Sequence, residues 1–320
     1  MTTEAAFIAA LRAIATAPAA RGLADDAAVL DVGGSRLVLT MDAIVEGVHF
    51  LRDDPADSVA WKLVATNVSD LAAKGAVPRG CLLTYPLAAD PNWDAVFLRG
   101  LEEAVRHFAI PLLGGDTVRQ PEGSPRSFSL VALGEPEAGV AVPSRGGARS
   151  GDRLWLSGPV GDAGLGLAVL RGERHTAPEH RAVLAERYRR PSPRPMLGAA
   201  LAPHVHAMMD VSDGVLIDAA RLAAASEVAA VVELGQLPLS RAFVETVGDS
   251  LPERLFAAGA GDDYCLLFAA PPEADAMLER IAAWHRNSLY PVGRVMGGRG
   301  LSLLYQDDPV PLPGRLGFQH

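Results

Sequence analysis

The residues of this chain that could do chemistry are aspartates in five short motifs. In chain order, the motifs are Asp25-Asp26, Thr40-Met41-Asp42, Asn67-Val68-Ser69-Asp70, Gly114-Gly115-Asp116-Thr117 and Asp210-Val211-Ser212-Asp213-Gly214. Taken singly, each aspartate is explained by a turn, a helix N-cap or a solvated surface. Taken together they indicate more, because most of them adjoin apolar runs that we expect to be buried, namely Asp26, Asp42, Asp116 and Asp210. A buried carboxylate is costly unless it is paired or binds a metal.

The chemistry that these aspartates predict is magnesium-dependent phosphate chemistry. Carboxylate oxygens are ligands that Mg²⁺ prefers, and one or two of them per ion are typically joined by waters and substrate phosphates. The net charge of −9, with no basic stripe, argues against a nucleic-acid binder. Neither lysine, Lys62 or Lys74, follows a GxxxxG pattern, which excludes the P-loop route to ATP. Phosphate binding would then depend on metals, arginines and backbone amides, such as those of Gly114-Gly115.

The elements that must position the aspartates alternate irregularly between helix and strand. We predict helices over 4–16, 58–74, 93–108, 161–170, 178–188 and 213–225. We predict strands over 27–31, 36–41, 80–85, 127–134, 152–156, 205–211, 229–234, 264–269 and 290–295. Because several strands are direct neighbours in the chain, this pattern indicates an α+β fold rather than a doubly wound sheet.

Length and composition indicate two ordinary globular domains. The chain has 320 residues, of which 49% are hydrophobic and 21% charged. A glycine- and arginine-rich stretch without apolar periodicity, 143–151, is the predicted linker, so we place the domains at 1–142 and 143–320. A basic segment followed by an unbroken apolar core is not seen near the N-terminus, nor is an apolar run of membrane-spanning length, and we therefore expect a cytoplasmic protein.

From Asp25 to Phe318 the chain resembles the bacterial thiamine-monophosphate kinases. These belong to a superfamily with aminoimidazole ribonucleotide synthetase and selenophosphate synthetase. Besides the aspartate motifs, the resemblance rests on Glu46-Gly47-Val48-His49-Phe50, which is more particular to the kinases, and on Asp263-Tyr264. It implies a homodimer of two-domain α+β chains, each domain a mixed or antiparallel sheet packed with helices. The first domain would bind ATP and metal and form the dimer, and the second would complete the active site.

The resemblance also implies roles for individual residues. Magnesium ions would be held by Asp26, Asp42, Asp70, Asp116 and Asp210, with Thr40, Met41 and Asp213 as further ligands. Of these, Asp42, Asp116 and Asp210 would be catalytic. ATP would contact Gly115, Asp116, Arg145 and Ser212. Thiamine monophosphate would contact His49, Asp262 and Phe318.

Three residues depart from the pattern of these kinases. Met41 stands where Thr or Ser is usual, so only its backbone carbonyl is left as a ligand. Asp262 replaces the glutamate of a Gly-Gly-Glu-Asp-Tyr-Glu motif and is one methylene shorter, which affects the predicted substrate contact. Lys74 replaces a common methionine, and the sequence offers no explanation of that change.

The function implied is ATP-dependent phosphorylation of thiamine monophosphate to thiamine diphosphate by direct in-line transfer, with several Mg²⁺ ions. The acceptor phosphate is ionised near neutral pH, so a strong general base is not required. One alternative is another ATP-dependent synthetase of the superfamily. Its selenophosphate branch is disfavoured because the first cysteine, Cys81, lies far from the N-terminus. A second alternative is a non-catalytic nucleotide-binding scaffold, which would require eroded metal ligands, yet only Met41 differs.

Overall fold

The computed structural model describes residues 4–87, 90–121 and 123–318, whose strands form two mixed sheets. The first, five-stranded sheet has the order β1-β2-β5-β3-β4. Its strands are β1 (Ala28–Val32), β2 (Ser35–Val45), β3 (Ala76–Leu87), β4 (Leu112–Arg119) and β5 (Ser127–Pro136). The helices of this part are α1 (Glu4–Arg12), α2 (Ala56–Ala73) and α3 (Pro91–His107). Strand β4 runs parallel to β3, and the other pairings are antiparallel.

The second, seven-stranded sheet has the order β12-β11-β8-β10-β6-β9-β7. Its strands are β6 (Arg153–Leu156), β7 (Ala207–Asp210), β8 (Ala229–Glu233), β9 (Leu266–Ala270), β10 (Tyr290–Met296), β11 (Gly300–Tyr305) and β12 (Asp308–Val310). Its helices are α4 (Asp162–Leu170), α5 (Pro178–Arg189), α6 (Pro195–Leu201), α7 (Val215–Ala225), α8 (Arg241–Val247), α9 (Leu251–Gly259) and α10 (Asp275–Trp284). The predicted boundary at 142/143 falls between β5 and β6 and stays a prediction.

Helix α2 is the central element, because it contacts strands β2 and β5 of the first sheet and also β7 of the second. Its residues are buried on nearly every side, as expected for a helix that lies between two layers. The helix ends at Ala73 with Lys74 as its C-cap, and Gly75 follows with φ 59°, the left-handed conformation typical after a helix C-terminus. The helix begins at Ala56, after Pro55, and so starts earlier than the predicted position 58.

The predicted α+β class is confirmed, and every predicted strand overlaps an observed one. Two aspartates predicted near element ends lie inside strands instead: Asp42 within β2 and Asp116 within β4. Asp213 is not a helix N-cap, since α7 begins after Gly214. The strands and helices that the sequence pattern missed are β4, β11, β12, α6, α8, α9 and α10. Within the described ranges, no helix has the length and apolar character that a membrane span requires.

Candidate active site

Three of the predicted aspartates converge where the two sheets meet. Asp26 precedes β1, Asp70 lies in the last turn of α2, and Asp210 ends β7. One carboxylate oxygen from each lies within 4.8 Å of the others. Helix α2 therefore brings a ligand from its own last turn against the start of the first sheet and the end of a strand of the second.

Burial and mutual repulsion make these carboxylates difficult to ionise together. Burial raises the pKa of Asp70 well above its usual range, and the charges of Asp42, Asp210 and Asp26 add to the rise. Burial, followed by the charge of Asp26, likewise raises the pKa of Asp210 to about 8. Ser69 opposes this by donating a hydrogen bond of 2.7 Å to Asp210 Oδ2. A cation placed among the carboxylates would relieve the repulsion.

The donor set fits a divalent metal ion. Asp26 Oδ2 is buried and, within the described part of the chain, accepts no hydrogen bond. The Lys74 ammonium forms an ion pair with this oxygen at 2.6 Å, and because a carboxylate oxygen has two lone pairs, one remains for a metal. Carboxylate oxygens are the ligands of hard cations such as Mg²⁺. On the other side of Asp26, Arg145 Nε donates to Oδ1 at 2.7 Å and fixes the carboxylate.

Strand β2 adds Thr40 and Asp42 to the same region. The Thr40 hydroxyl donates to Asp70, and the Asp42 backbone N–H donates to the Asn67 side chain at 2.9 Å. Alternate residues of a strand face opposite sides of the sheet, so Met41 points away from Thr40 and Asp42. Its side chain is 62% exposed. The exchange at position 41 therefore removes no side-chain ligand from the face that holds the carboxylates.

Other predicted residues stay apart from the three carboxylates. Gly115 and Asp116 are exposed in the edge strand β4, which β5 and β3 separate from β2. A Cβ on Gly115 would lie 1.9 Å from Leu83 O. The close pairing of β4 with β3 therefore explains by itself why this residue is glycine. The Asp213 carboxylate accepts from Arg221 at 2.5 Å. The Ser212 carbonyl accepts from the Asp262 N–H at 2.8 Å.

A polar cavity of about 290 Å³ is lined in part by Tyr264 and Cys265, and none of Asp26, Asp70 and Asp210 lines it. The Tyr264 N–H, from its wall, donates to Val211 O at 2.8 Å, one residue beyond Asp210. The charged side chains that line the cavity are Asp162, Arg187, Arg194, Asp262, Asp263 and Arg286. The cavity thus offers both signs of charge to a ligand.

Lys62 joins two of the predicted substrate residues across the domains. Its buried ammonium donates to His49 O and to Asp262 Oδ2, both at 2.9 Å. It also lies 3.9 Å from the centre of the Tyr188 ring. Asp262 has φ 67°, an uncommon conformation for a residue other than glycine, and its second oxygen accepts from the Tyr264 hydroxyl at 3.0 Å. The third predicted substrate residue, Phe318, is 40% exposed, and its N–H donates to Asp213 O at 2.9 Å.

Neither lysine has a role that was predicted from the sequence, although both lie in the site. The sequence nevertheless marks both residues as unusual. Lys62 and Lys74 are the only lysines of the chain, and they lie within and at the end of the strongly apolar segment that forms α2. Lys74 also follows Asp70 by four residues, a spacing that places both on one helix face. A charge in such a helix needs a buried partner, and the partners are aspartates of the site.

Comparison with known proteins assigns a family to this arrangement. Residues 24–135 match the model for the AIR synthase related protein N-terminal domain, and 149–306 match that for the C-terminal domain. Among similar proteins, the thiamine-monophosphate kinase of Caulobacter vibrioides is 41% identical over 310 residues, covering 95% of this chain and 86% of that protein. The Escherichia coli thiamine-monophosphate kinase is 34% identical over 305 residues, covering 93% and 91%.

Solved structures agree with the sequence relatives. A structure described as "AaThiL complexed with AMPPCP and TMP" has a TM-score of 0.84 and 28% identity, covering 99% of this chain and 97% of that one. The thiamine-monophosphate kinase of Stenotrophomonas maltophilia has a TM-score of 0.78 and 35% identity, covering 95% and 96%. The chain therefore belongs to the thiamine-monophosphate kinase family of enzymes, among the AIR synthase related proteins.

Proposed function

We propose that the protein transfers the γ-phosphoryl group of ATP to the phosphate of thiamine monophosphate, producing thiamine diphosphate and ADP. The observation that carries the proposal is the convergence of the Asp26, Asp70 and Asp210 carboxylates. A cavity lined by charges of both signs is connected to this group through the hydrogen bond from Tyr264 to Val211, the residue after Asp210. The names of the relatives support it, and so does the relative whose structure holds AMPPCP and TMP.

The residues proposed to hold magnesium are those of the carboxylate group and its neighbours on β2. Asp26, Asp42, Asp70 and Asp210 would supply carboxylates, with Thr40 and the Met41 carbonyl beside them. Asp116 and Asp213 would complete the coordination when a nucleotide is bound. Bound magnesium neutralises phosphate charge and aligns the reacting oxygens.

The proposed reaction is one direct displacement. An oxygen of the acceptor phosphate forms a bond to the γ-phosphorus while the bond from that phosphorus to the β–γ bridging oxygen breaks. ADP leaves with the electron pair, and no covalent enzyme intermediate forms. The chain contributes position and charge: Arg145 fixes Asp26, and Gly115, Asp116, Arg145 and Ser212 are the proposed ATP contacts.

The cavity suits an acceptor that is itself charged at both ends. Thiamine monophosphate carries a positive thiazolium ring and a negative phosphate. The carboxylates of Asp162 and Asp262 are matched to the ring, and the arginines to the phosphate. Asp262, His49 and Phe318 remain the proposed substrate residues. Asp262 is shorter than the glutamate usual at this position. Lys62 and Tyr264 hold its carboxylate in place, so the proposed substrate contact does not require the longer side chain.

Replacing Lys62 is expected to impair the acceptor side selectively. Lys62→Met removes both hydrogen bonds of the ammonium and leaves the Asp262 carboxylate without its cation. We expect KM for thiamine monophosphate to rise about tenfold, about 1.4 kcal/mol, while KM for ATP changes less than twofold. Lys62→Arg, which keeps the charge, should recover part of the loss. Equal changes in both KM values would contradict this role.

We further propose a homodimer formed through the outer face of the first sheet. Met41 pairs with Val131, and Val131 with Leu82, so these side chains form a row across three strands. Met41 and Leu82 are 62% and 42% exposed. A sheet face of this kind is normally covered by a second layer, which a second copy of the chain would provide. A cytoplasmic location stays a prediction from the sequence.

The dimer is tested by placing charge on that row. Leu82→Glu should halve the molecular mass measured by sedimentation equilibrium, because a dimer interface would bury the new carboxylate. The matched control is Val183→Glu, which changes a residue of similar exposure on α5 and should leave the mass unchanged. A wild-type protein that sediments as a monomer at all concentrations would contradict the proposal.

The activity is tested by following ADP release from Mg-ATP with different acceptors. ADP should accumulate with thiamine monophosphate and not with thiamine, because thiamine lacks the attacking phosphate. ADP release with an amide or another phosphorylated acceptor instead would favour a synthetase of the superfamily. Tight ATP binding without ADP release under any condition would favour the non-catalytic scaffold.

A further inference from the structure

The Lys74 ammonium lies in a closed cage of oxygens. Its contacts are Asp25 Oδ1, Asp26 Oδ2 at 2.6 Å, Met208 O at 2.9 Å and Pro143 O at 3.4 Å. The side chain is 0% exposed. These oxygens come from the start of the first sheet, the segment between the sheets and β7, so three separate segments of the chain enclose one positive charge.

This cage has the composition of a cation site. Carboxylates together with backbone carbonyls form the ligand sets that hard metal ions take in proteins. The cage also shares Asp26 with the candidate metal site, because Asp26 belongs to the group formed with Asp70 and Asp210. Lys74 follows Asp70 by one helical turn, and the C-terminal end of a helix favours a positive charge. The ammonium is therefore built into the end of the metal site.

We propose that Lys74 is a resident cation of this site, filling one cation position between Asp25 and Asp26, so that the chain binds one divalent ion fewer than it would with an uncharged side chain at position 74. The inference rests on the proposed function only in treating the carboxylates as a magnesium site. Lys74 is then a positioning residue, which orients Asp26 and sets the number of ions bound.

The cage is expected to survive the loss of Lys74. Arg21 also pairs with Asp25, at 2.6 Å, and Arg145 also pairs with Asp26. Each carboxylate thus keeps one fixed positive partner in Lys74→Met, whose side chain is one atom shorter than lysine and carries no charge. The space and the oxygens then become available to a divalent ion.

The test is to count bound Mn²⁺ from the free-ion electron paramagnetic resonance signal, with AMPPCP present. Lys74→Met should bind one more Mn²⁺ per chain than the wild type, and Lys62→Met, the other buried lysine, should match the wild type. Equal counts for Lys74→Met and the wild type would overturn the inference, as would an equal gain in Lys62→Met. If the wild type forms no thiamine diphosphate, the proposed function fails while the difference in Mn²⁺ count can still appear.

A second variant covers the case in which Lys74→Met does not fold. Lys74→Ala empties the cage, and an ammonium ion has the size and charge to replace the lost group. Its Tm should rise by several degrees in ammonium chloride relative to choline chloride, whereas that of the wild type should not. A Tm of Lys74→Ala that responds to ammonium no more than the wild type would overturn the inference.

Discussion

Replacing Asp70 by asparagine is expected to abolish turnover and yet to stabilise the metal-free protein. The variant keeps the shape of the side chain and an oxygen that accepts the Thr40 hydrogen bond. It loses a metal ligand, for which we expect a fall in kcat of at least about 1000-fold, about 4 kcal/mol. The two effects are opposite in sign because the charge of Asp70 binds a metal when one is present, and destabilises the folded protein when none is bound.

The stability gain follows from the direction of the pKa shift. Burial and the neighbouring aspartates raise the pKa of Asp70 well above that in the unfolded chain. Above the unfolded-state pKa, the ionised carboxylate therefore favours unfolding, and the cost grows as the pH rises. At pH 8 in EDTA, we expect Asp70→Asn to raise the free energy of unfolding by about 1 kcal/mol.

Urea unfolding and steady-state kinetics of the same samples provide the measurement. Asp57→Asn is the matched control, since it makes the same change in the first turn of the same helix, outside the carboxylate group. It should leave kcat within twofold of the wild type. A metal-free Asp70→Asn protein less stable than the wild type would contradict the electrostatic account, and near-normal kcat would contradict the metal-ligand role.

Replacing Asp26 by asparagine is expected to destabilise the protein, in contrast to Asp70→Asn, although both residues belong to the same carboxylate group. It pairs with Arg145 and Lys74, so Asp26→Asn leaves two poorly solvated cations with less negative charge. Removing one partner of a buried ion pair is costly, and we expect a loss of about 3 kcal/mol in the free energy of unfolding. Turnover should also fall, because the Asp26 ligand is lost.

The matched control for Asp26 is Asp31→Asn. Asp31 lies in β1, and its side chain is 77% exposed in a pair with Arg36. An exposed pair contributes little, so this change should cost less than about 1 kcal/mol in urea unfolding. Equal destabilisation by Asp26→Asn and Asp31→Asn would show that the buried cations do not depend on Asp26.

The burial of two of the three carboxylates and the main strands were predictable from the sequence because both depend on local pattern. Asp26 and Asp210 adjoin apolar strands, so burial of their carboxylates was foreseeable, whereas Asp70 on its helix could equally have been a solvated surface residue. That the three meet was not foreseeable, since their approach depends on how α2 packs between the two sheets. Strand β4 was missed because Gly114-Gly115 interrupts its apolar run, although close pairing with β3 is what requires Gly115.

The roles of some residues could not be predicted from the sequence because they depend on partners that are distant in the chain. Lys62 and Asp262 are 200 positions apart, and no periodicity connects them. Asp213 resembled a helix cap by its position before α7, but Arg221, two turns into that helix, pairs with it. The exchange at Met41 seemed to remove a ligand until strand alternation placed that side chain on the opposite face from Thr40 and Asp42.

Direct transfer of phosphate from ATP to thiamine monophosphate can be followed with an isotope label. ATP carrying ¹⁸O in the three non-bridging oxygens of its γ-phosphate would be incubated with Mg²⁺, thiamine monophosphate and the protein, and the products identified by mass. Direct transfer predicts thiamine diphosphate with all three labelled oxygens and unlabelled ADP. Label recovered in inorganic phosphate, with no labelled thiamine diphosphate, would contradict it and indicate a synthetase or an ATPase.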